Sequence, residues 1–350
     1  MTYAVGVLGA TGQVGREFLR ILEAGDRPDL PIGSLRLFAS ERSAGKRMTV
    51  RGDEHVVEVA CPDPHLFEGL DFVISAIGDV EARTFAPVVA QAGAVDVDKS
   101  NAWRMEPGVP LVVPEVNPEA ARAHRGIIAG PNCSTTQMVV ALWPIHQVNP
   151  IRRIIVDTYQ AVSGTGWRAV DELRAQVRDP QGAPRQQYPH QIHQNLIPEI
   201  GSYKGDGLFS EERKMIDETR KIFSEPDLAI SATCVRVPVE VGHSEAIHVE
   251  LERPFPPEAA REILRKAPGI VVLDDPRHSE YPMPLSVAGE DPVFVGRIRQ
   301  DPSHPRGLAL WVVGDNLRKG AALNAIQVFE LVARNGWRPT AARDGQEVHA

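Results

Sequence analysis

Hydrophobic residues in the first 130 positions fall into short continuous runs separated by helical patterns, whereas later runs alternate with polar residues. Strands are expected at 3–8, 34–39, 54–60, 71–77, 94–98, 110–113 and 126–129. The run Asp-Phe-Val-Ile-Ser-Ala-Ile-Gly (71–78) is unbroken, as a parallel strand covered on both faces should be. After Asn132 the texture changes. Ile151–Tyr159, Ala229–Val239, Glu245–Glu252 and Leu308–Val313 alternate or are half apolar, which suits an antiparallel sheet with one covered face. The Pro-, Gln- and Gly-rich stretch 179–207 reads as loop, and helices are expected at 16–23, 136–143, 210–223 and about 320–335. The fold class is therefore α/β: an N-terminal doubly wound parallel sheet plus an α+β domain with a mainly antiparallel sheet.

The first strand runs into Gly9-Ala10-Thr11-Gly12-Gln13-Val14-Gly15 and then a helical pattern. Strand, glycine turn and helix open a Rossmann-type dinucleotide-binding unit: glycines admit the pyrophosphate to the backbone, and the helix N-terminus receives its charge. Gly9, Thr11, Gly12, Gln13 and Val14 are the expected contacts. The spacing is G-x-x-G-x-x-G, and the plainer alternative is an ordinary tight turn. Ser75 and Gly78, at the end of strand 71–77, are expected beside it, since nucleotides sit at strand C-termini. Strand 34–39 ends in Ser40-Glu41-Arg42-Ser43. Hydroxyls and a guanidinium at Ser40, Arg42 and Ser43 suit a 2′-phosphate, so NADP (NADPH) is expected over NAD. Glu41 could instead take a ribose 2′-OH, and a solvated basic loop is the bland alternative.

Gly-Pro-Asn-Cys-Ser-Thr-Thr-Gln (130–137) sets Cys133 between a short apolar strand and a helix. The unpaired amides and positive dipole of a helix start favour a thiolate, the form that acts as nucleophile. A small buried packing residue is the alternative. Cys61 and Cys234 both read as packing thiols.

Composition narrows the classes. A chain of 350 residues with 43% hydrophobic and 24% charged residues has enough material for a large core. A net charge of −8 without an offsetting basic run argues against nonspecific nucleic-acid or acidic-membrane binding. No apolar stretch of membrane-spanning length and no signal peptide is evident, so a cytoplasmic location is expected. Three scattered cysteines do not make a disulfide framework, and no CxxC or HExxH spacing suggests a metal.

In order along almost the whole chain, several blocks resemble aspartate-semialdehyde dehydrogenase of the bacterial type. They are the Gly9–Gly15 turn, Ala-Ser-x-Arg-Ser-Ala-Gly-Lys (39–46), Val-Pro-Glu-Val-Asn (113–117), Pro-Asn-Cys-Ser-Thr (131–135), Thr-Tyr-Gln-Ala-Val-Ser-Gly (158–164) and Ser-Ala-Thr-Cys-Val-Arg-Val-Pro-Val (231–239). Gly-His-Ser-Glu (242–245), Phe-Val-Gly-Arg-Ile-Arg (294–299) and Trp-Val-Val-Gly-Asp-Asn-Leu-Arg-Lys-Gly-Ala-Ala (311–322) complete the set.

The resemblance implies a division into an NADP-binding domain of 1–132 and 321–350, and a catalytic and dimerisation domain of 133–320. It implies a homodimer, with a tetramer as the alternative. Cys133 becomes the nucleophile, Gln160 the residue that orients the covalent intermediate and His243 the acid/base. A histidine near its ordinary pKa can take the thiol proton. Arg236, an arginine inside an apolar strand, needs a partner: the substrate α-carboxylate by the resemblance, or Glu240 or Glu245 as an internal salt bridge. Arg104 is implied to hold phosphate, Lys214 phosphate or carboxylate, Glu211 the substrate amine, and Asn132 the substrate. Without the resemblance, Glu211 and Lys214 read as an i,i+3 surface ion pair. Ser163, Gly164 and Asn316 are implied on the nicotinamide side.

The implied reaction is reversible reduction of aspartyl-4-phosphate to aspartate-4-semialdehyde, feeding lysine, diaminopimelate, methionine, threonine and isoleucine. Alternatives are N-acetyl-glutamyl-phosphate reductase, whose cysteine motif differs, and a non-catalytic NADP-binding sensor.

Overall fold

The computed structural model describes residues 2–24, 27 and 30–337. The described residues divide into two compact units, one made of those up to 130 with 325–337, the other of 131–324. Residues 338–350, expected in the nucleotide domain, lie outside the described residues.

The first unit runs β1 (Tyr3–Leu8), α1 (Gln13–Glu23), β2 (Ile32–Ala39), β3 (Arg47–Val50), β4 (Asp53–Val59), α2 (Pro64–Phe67), β5 (Phe72–Ser75), α3 (Asp79–Gln91), β6 (Val95–Asp98) and β7 (Ile127–Ala129). Its sheet order is β3-β4-β2-β1-β5-β6-β7. Every pairing is parallel except β3–β4. Strand order reverses at β1, so the ends of β1, β2 and β5 open the crevice in which such sheets bind nucleotides. Leu8, Phe38, Phe67, Leu70, Val73, Val89 and Ala94 form one core cluster.

The segment 110–113 is not a strand. It makes one isolated bridge, Leu111 to Ala129, because Pro110 has no N–H to offer and the Val113 N–H turns to the Asn117 side chain at 2.9 Å. Strand β3 is a four-residue edge strand in which only Val50 is buried, and so carries no apolar signature.

The second unit continues with α4 (Cys133–Val148), β8 (Ile151–Gln160), α5 (Trp167–Arg178), α6 (Ser210–Phe223), β9 (Ala229–Arg236), β10 (His243–Leu251), α7 (Pro257–Lys266), β11 (Ile270–Val272), α8 (Pro284–Val287), β12 (Val293–Gln300) and β13 (Gly307–Gly314). A π-turn at Arg318–Ala322 then leads into α9 (Leu323–Asn335). The sheet order is β11-β12-β13-β10-β8-β9. The three central pairings are antiparallel and the two outer ones parallel.

Alternation sorts the residues of β10. His243, Glu245, Ile247, Val249 and Leu251 are buried, while Ala246, His248 and Glu250 are only half covered. The buried face lies under α4, whose residues 134–142 are all buried. Strands β11 and β12 were not legible as strands. The short β11 has three residues, and β12 is broken by a register shift between Gly296 and Arg299, with Arg297 at φ 52°.

Candidate active site

In the first unit the glycine turn is forced by close packing. Gly9 has φ 86°, and a Cβ there would lie 2.4 Å from the Ala76 carbonyl oxygen. Only glycine meets both conditions. The turn thus sits against the end of β5, as expected for a nucleotide crevice. Gly12 is the N-cap of α1 and supplies no side-chain cap, and the first turn carries no acidic residue. A helix start with no capping side chain and no acidic residue fits a pyrophosphate. Thr11 Oγ1 donates to Ser43 Oγ at 3.2 Å, joining this turn to the loop after β2 that holds Ser40 and Arg42. Gln13 and Val14 begin α1, and Gly78 is the N-cap of α3.

Ser75 does not present its hydroxyl to this crevice. It is buried and donates to Asp96 at 2.5 Å. Burial holds the Asp96 carboxyl well above its usual range, with the neighbouring Asp98 adding to the effect. Asp98 itself is pushed up to about 6, chiefly by burial. Arg104 is also buried in this unit, donating to the carbonyls of Gly130 at 3.0 Å and Lys99 at 2.9 Å.

The second unit gathers the remaining candidates around Cys133, the first residue of α4. Cys133 is half-buried and not in a disulfide. Asn132 caps the helix: its Oδ1 accepts the N–H groups of Ser134 at 3.0 Å and Thr135 at 3.3 Å. Its Nδ2 donates to Glu211 Oε1 at 2.8 Å, and Gln160 Nε2 donates to the same oxygen at 3.0 Å. Lys214 Nζ donates to Glu211 Oε2 at 3.1 Å. The i,i+3 ion pair therefore forms, but Glu211 is only 5% exposed and not a surface group. Burial alone would raise its carboxyl; Lys214, the hydrogen bonds from Gln160 and Asn132, and Arg236 outweigh that and hold it at about 2.

His243 departs from the expectation of an ordinary pKa. The ring is fully enclosed, and Nδ1 accepts the Ala161 N–H at 3.0 Å. Burial first, then Arg236, lower its pKa to about 3 against the opposing pull of Glu211. A neutral ring that accepts at Nδ1 carries its hydrogen on Nε2, the nitrogen 3.5 Å from Gln160 Nε2. Such a ring donates a hydrogen bond readily and takes a thiol proton poorly.

Arg236 is buried and donates from Nη1 to the Ala161 carbonyl at 2.7 Å, while its Nε has no hydrogen-bond partner among the described residues. Glu240 instead pairs with Arg174, at 2.8 and 2.6 Å, and Glu245 is fully buried. The internal salt bridge considered for Arg236 is absent among the described residues. Gly164 packs on this pair: a Cβ there would be 2.9 Å from Arg236 Nη1 and 3.3 Å from His243 Nε2. Ser163 and Asn316 bond to each other at 2.9 Å, and Asn316 Oδ1 accepts the Gly242 N–H at 2.9 Å.

Four participants carry little or no signal in the sequence. Ala161 acts only through its backbone, which leaves no side-chain signal. Gln137, one turn beyond Cys133, donates to the His243 carbonyl at 3.3 Å. Glu218 accepts the Asn132 N–H at 2.7 Å; its spacing of seven from Glu211 was the available clue. Gly320 sits in the π-turn, where a Cβ would lie 2.8 Å from Cys133 Cβ. Such turns recur at functional sites. Cys234 is buried with its sulfur 3.7 Å from Met215, and burial, then Glu211, push its thiol far up. Cys61 is exposed, so the packing role expected for it is wrong: it follows β4 at the surface.

Among the described residues no group of three or more potential ligands could hold a metal ion, and no helix is long and apolar enough to cross a membrane.

Comparison with known proteins agrees with both units. The model of the semialdehyde dehydrogenase NAD-binding domain matches residues 4–124, and that of the semialdehyde dehydrogenase dimerisation domain matches 142–319. Aspartate-semialdehyde dehydrogenase of Aquifex aeolicus is 49% identical over 342 residues, covering 96% of this chain and 99% of the relative. The Synechocystis enzyme of the same name is 47% identical, covering 95% and 98%. The crystal structure of aspartate semialdehyde dehydrogenase II from Vibrio cholerae superposes with a TM-score of 0.90 at 40% identity, covering 96% of this chain and 99% of that one. A nicotinamide cofactor follows from the first domain. The chain belongs to the aspartate-semialdehyde dehydrogenase family.

Proposed function

We propose that the chain catalyses the reversible, NADPH-dependent conversion of aspartyl-4-phosphate to aspartate-4-semialdehyde and phosphate through a thioester on Cys133. One observation carries most of the weight: near full-length identity of 49% to a relative of that name. A Vibrio cholerae neighbour, 40% identical, was solved complexed with ASA, and a Candida albicans neighbour, 28% identical, with NADP.

The chemistry begins at sulfur. Cys133 Sγ, as thiolate at the start of α4, attacks the acyl carbon; the carbon–oxygen bond to phosphate breaks and phosphate leaves with the electron pair. The thioester is activated toward hydride where a carboxylate is not. Gly9, Thr11, Gly12, Gln13 and Val14 hold the pyrophosphate, and Ser40, Arg42 and Ser43 the 2′-phosphate. When bound, the nicotinamide would supply the hydride that brings the acyl carbon to the aldehyde level; the carbon–sulfur bond then breaks, its electron pair returns to Cys133 as thiolate, and the aldehyde leaves. His243, with its hydrogen on Nε2, stabilises the oxyanion by donation, a contribution of about 3 kcal/mol in comparable sites. Arg236 takes the α-carboxylate, Glu211 the amine, Gln160 and Asn132 orient the acyl group, and Lys214 and Arg104 receive phosphate. Ser163, Gly164 and Asn316 serve the nicotinamide side.

The dimerisation-domain match supports self-association, most simply as a homodimer. The test is mass spectrometry of enzyme mixed with aspartyl phosphate while reductant is withheld. An acyl adduct on Cys133 is expected; turnover by a protein that never carries one would overturn the route.

A further inference from the structure

We infer that Glu218 is a positioning residue for Cys133, acting through Asn132; this rests on the thioester route proposed above. Glu218 is fully enclosed, and its Oε2 accepts the Asn132 N–H at 2.7 Å, at the short end of the range for such bonds. Glu211 and Glu218 are seven residues apart on α6, hence on one face two turns apart. Both carboxylates grip the same residue, Glu211 by its side chain and Glu218 by its main chain.

The rest of Asn132 is equally engaged. Its carbonyl accepts the Thr136 N–H at 2.8 Å and the Thr136 hydroxyl at 2.8 Å, and its Oδ1 caps α4. With donor and acceptors all bound, the backbone of Asn132 has little room to rotate, and the next residue carries the sulfur. From the other side the π-turn leaves no space for a Cβ at Gly320 beside Cys133. Covalent attack requires reacting atoms about 3–3.5 Å apart and aligned, and a misplacement of about 1 Å costs roughly 100-fold. Glu218 therefore acts through the placement of the nucleophile, without touching the substrate.

The experiment compares single-turnover acylation of Cys133 by aspartyl phosphate in the whole enzyme and in Glu218→Ala, Glu218→Asp and Glu218→Gln, each at a folded fraction checked by circular dichroism. Glu218→Ala leaves the Asn132 N–H without an acceptor and should acylate roughly 100-fold more slowly. Glu218→Asp keeps the charge but falls a methylene short and should be slow as well. Glu218→Gln keeps an oxygen at the right reach and should recover to within about tenfold of the parent. Wild-type enzyme that forms no adduct would defeat the thioester route itself. Wild-type acylation matched by folded Glu218→Ala would defeat only the role of Glu218. Should Glu218→Ala not fold, Glu218→Asp acylating as fast as Glu218→Gln would defeat that role equally.

Discussion

The Ala161 N–H donates to Nδ1 of His243 across 3.0 Å, and this bond selects the ring nitrogen that carries hydrogen. The Ala161 carbonyl accepts from Arg236 at 2.7 Å, so one peptide residue orients both side chains. His243→Gln, which retains an N–H donor, should keep more activity than His243→Ala. Loss of the donor should lower kcat by about 100- to 1,000-fold. Equal kcat values for the two variants would argue against donation.

The same histidine sets a pH dependence of stability. Its pKa is lowered in the folded protein to about 3 from the usual 6.5. Between those values the unfolded chain binds the extra proton, so stability falls as pH drops from about 6.5 toward 3. The slope from this group is at most about 1.4 kcal/mol per pH unit. His243→Asn should flatten the curve of urea midpoint against pH in that window; a parallel curve would show that the ring is charged when folded.

Cys133→Ala should abolish turnover while leaving NADPH binding intact, as seen by fluorescence titration. Cys133→Ser should lose several kcal/mol of barrier lowering, since a hydroxyl without a matched base is a far weaker nucleophile. Appreciable activity in the alanine variant would remove the covalent route.

Arg236→Lys should act chiefly on substrate capture. A lysine gives up the planar fork, and one charged hydrogen bond is worth about 1.5–3 kcal/mol. The KM for aspartyl phosphate should rise by roughly 10- to 150-fold with a smaller change in kcat. An unchanged KM would move Arg236 to a purely structural role.

Arg42→Ala should raise the KM for NADPH by at least about tenfold and leave that for NADH nearly unchanged, because only the former carries the 2′-phosphate. Steady-state kinetics with both cofactors decides this; an equal effect on the two would mean that Arg42 does not contact that phosphate.

Much of this architecture is legible ahead of the structure because burial writes itself into periodicity. The continuous run at 71–78 contains β5 (Phe72–Ser75), and the alternating run before Gln160 is β8 (Ile151–Gln160). Helix α6 (Ser210–Phe223) matches the expected 210–223. Segments whose backbone bonds go elsewhere mislead, as at Val113, whose N–H serves a side chain. At the site, residue types announce Cys133, His243 and Arg236, since each is chemically conspicuous. The electrostatic state of His243 is not legible, because it depends on enclosure and on a backbone amide distant in sequence. Ala161 and Gly320 contribute main chain alone, and main chain has no alphabet.

The return of the chain to its first unit also fixes an order of events during synthesis. Phe329 on α9 meets Phe72 at 4.8 Å and Tyr3 at 6.0 Å between ring centroids, and Tyr3 donates from its hydroxyl to the Ala333 carbonyl at 3.1 Å. The ribosome delivers Tyr3 and Phe72 early and Phe329 only after residues 131–324 have emerged. Until then the nascent nucleotide unit lacks the ring that covers Phe72 and Tyr3, so the last helix to be made is the one that closes the first core begun.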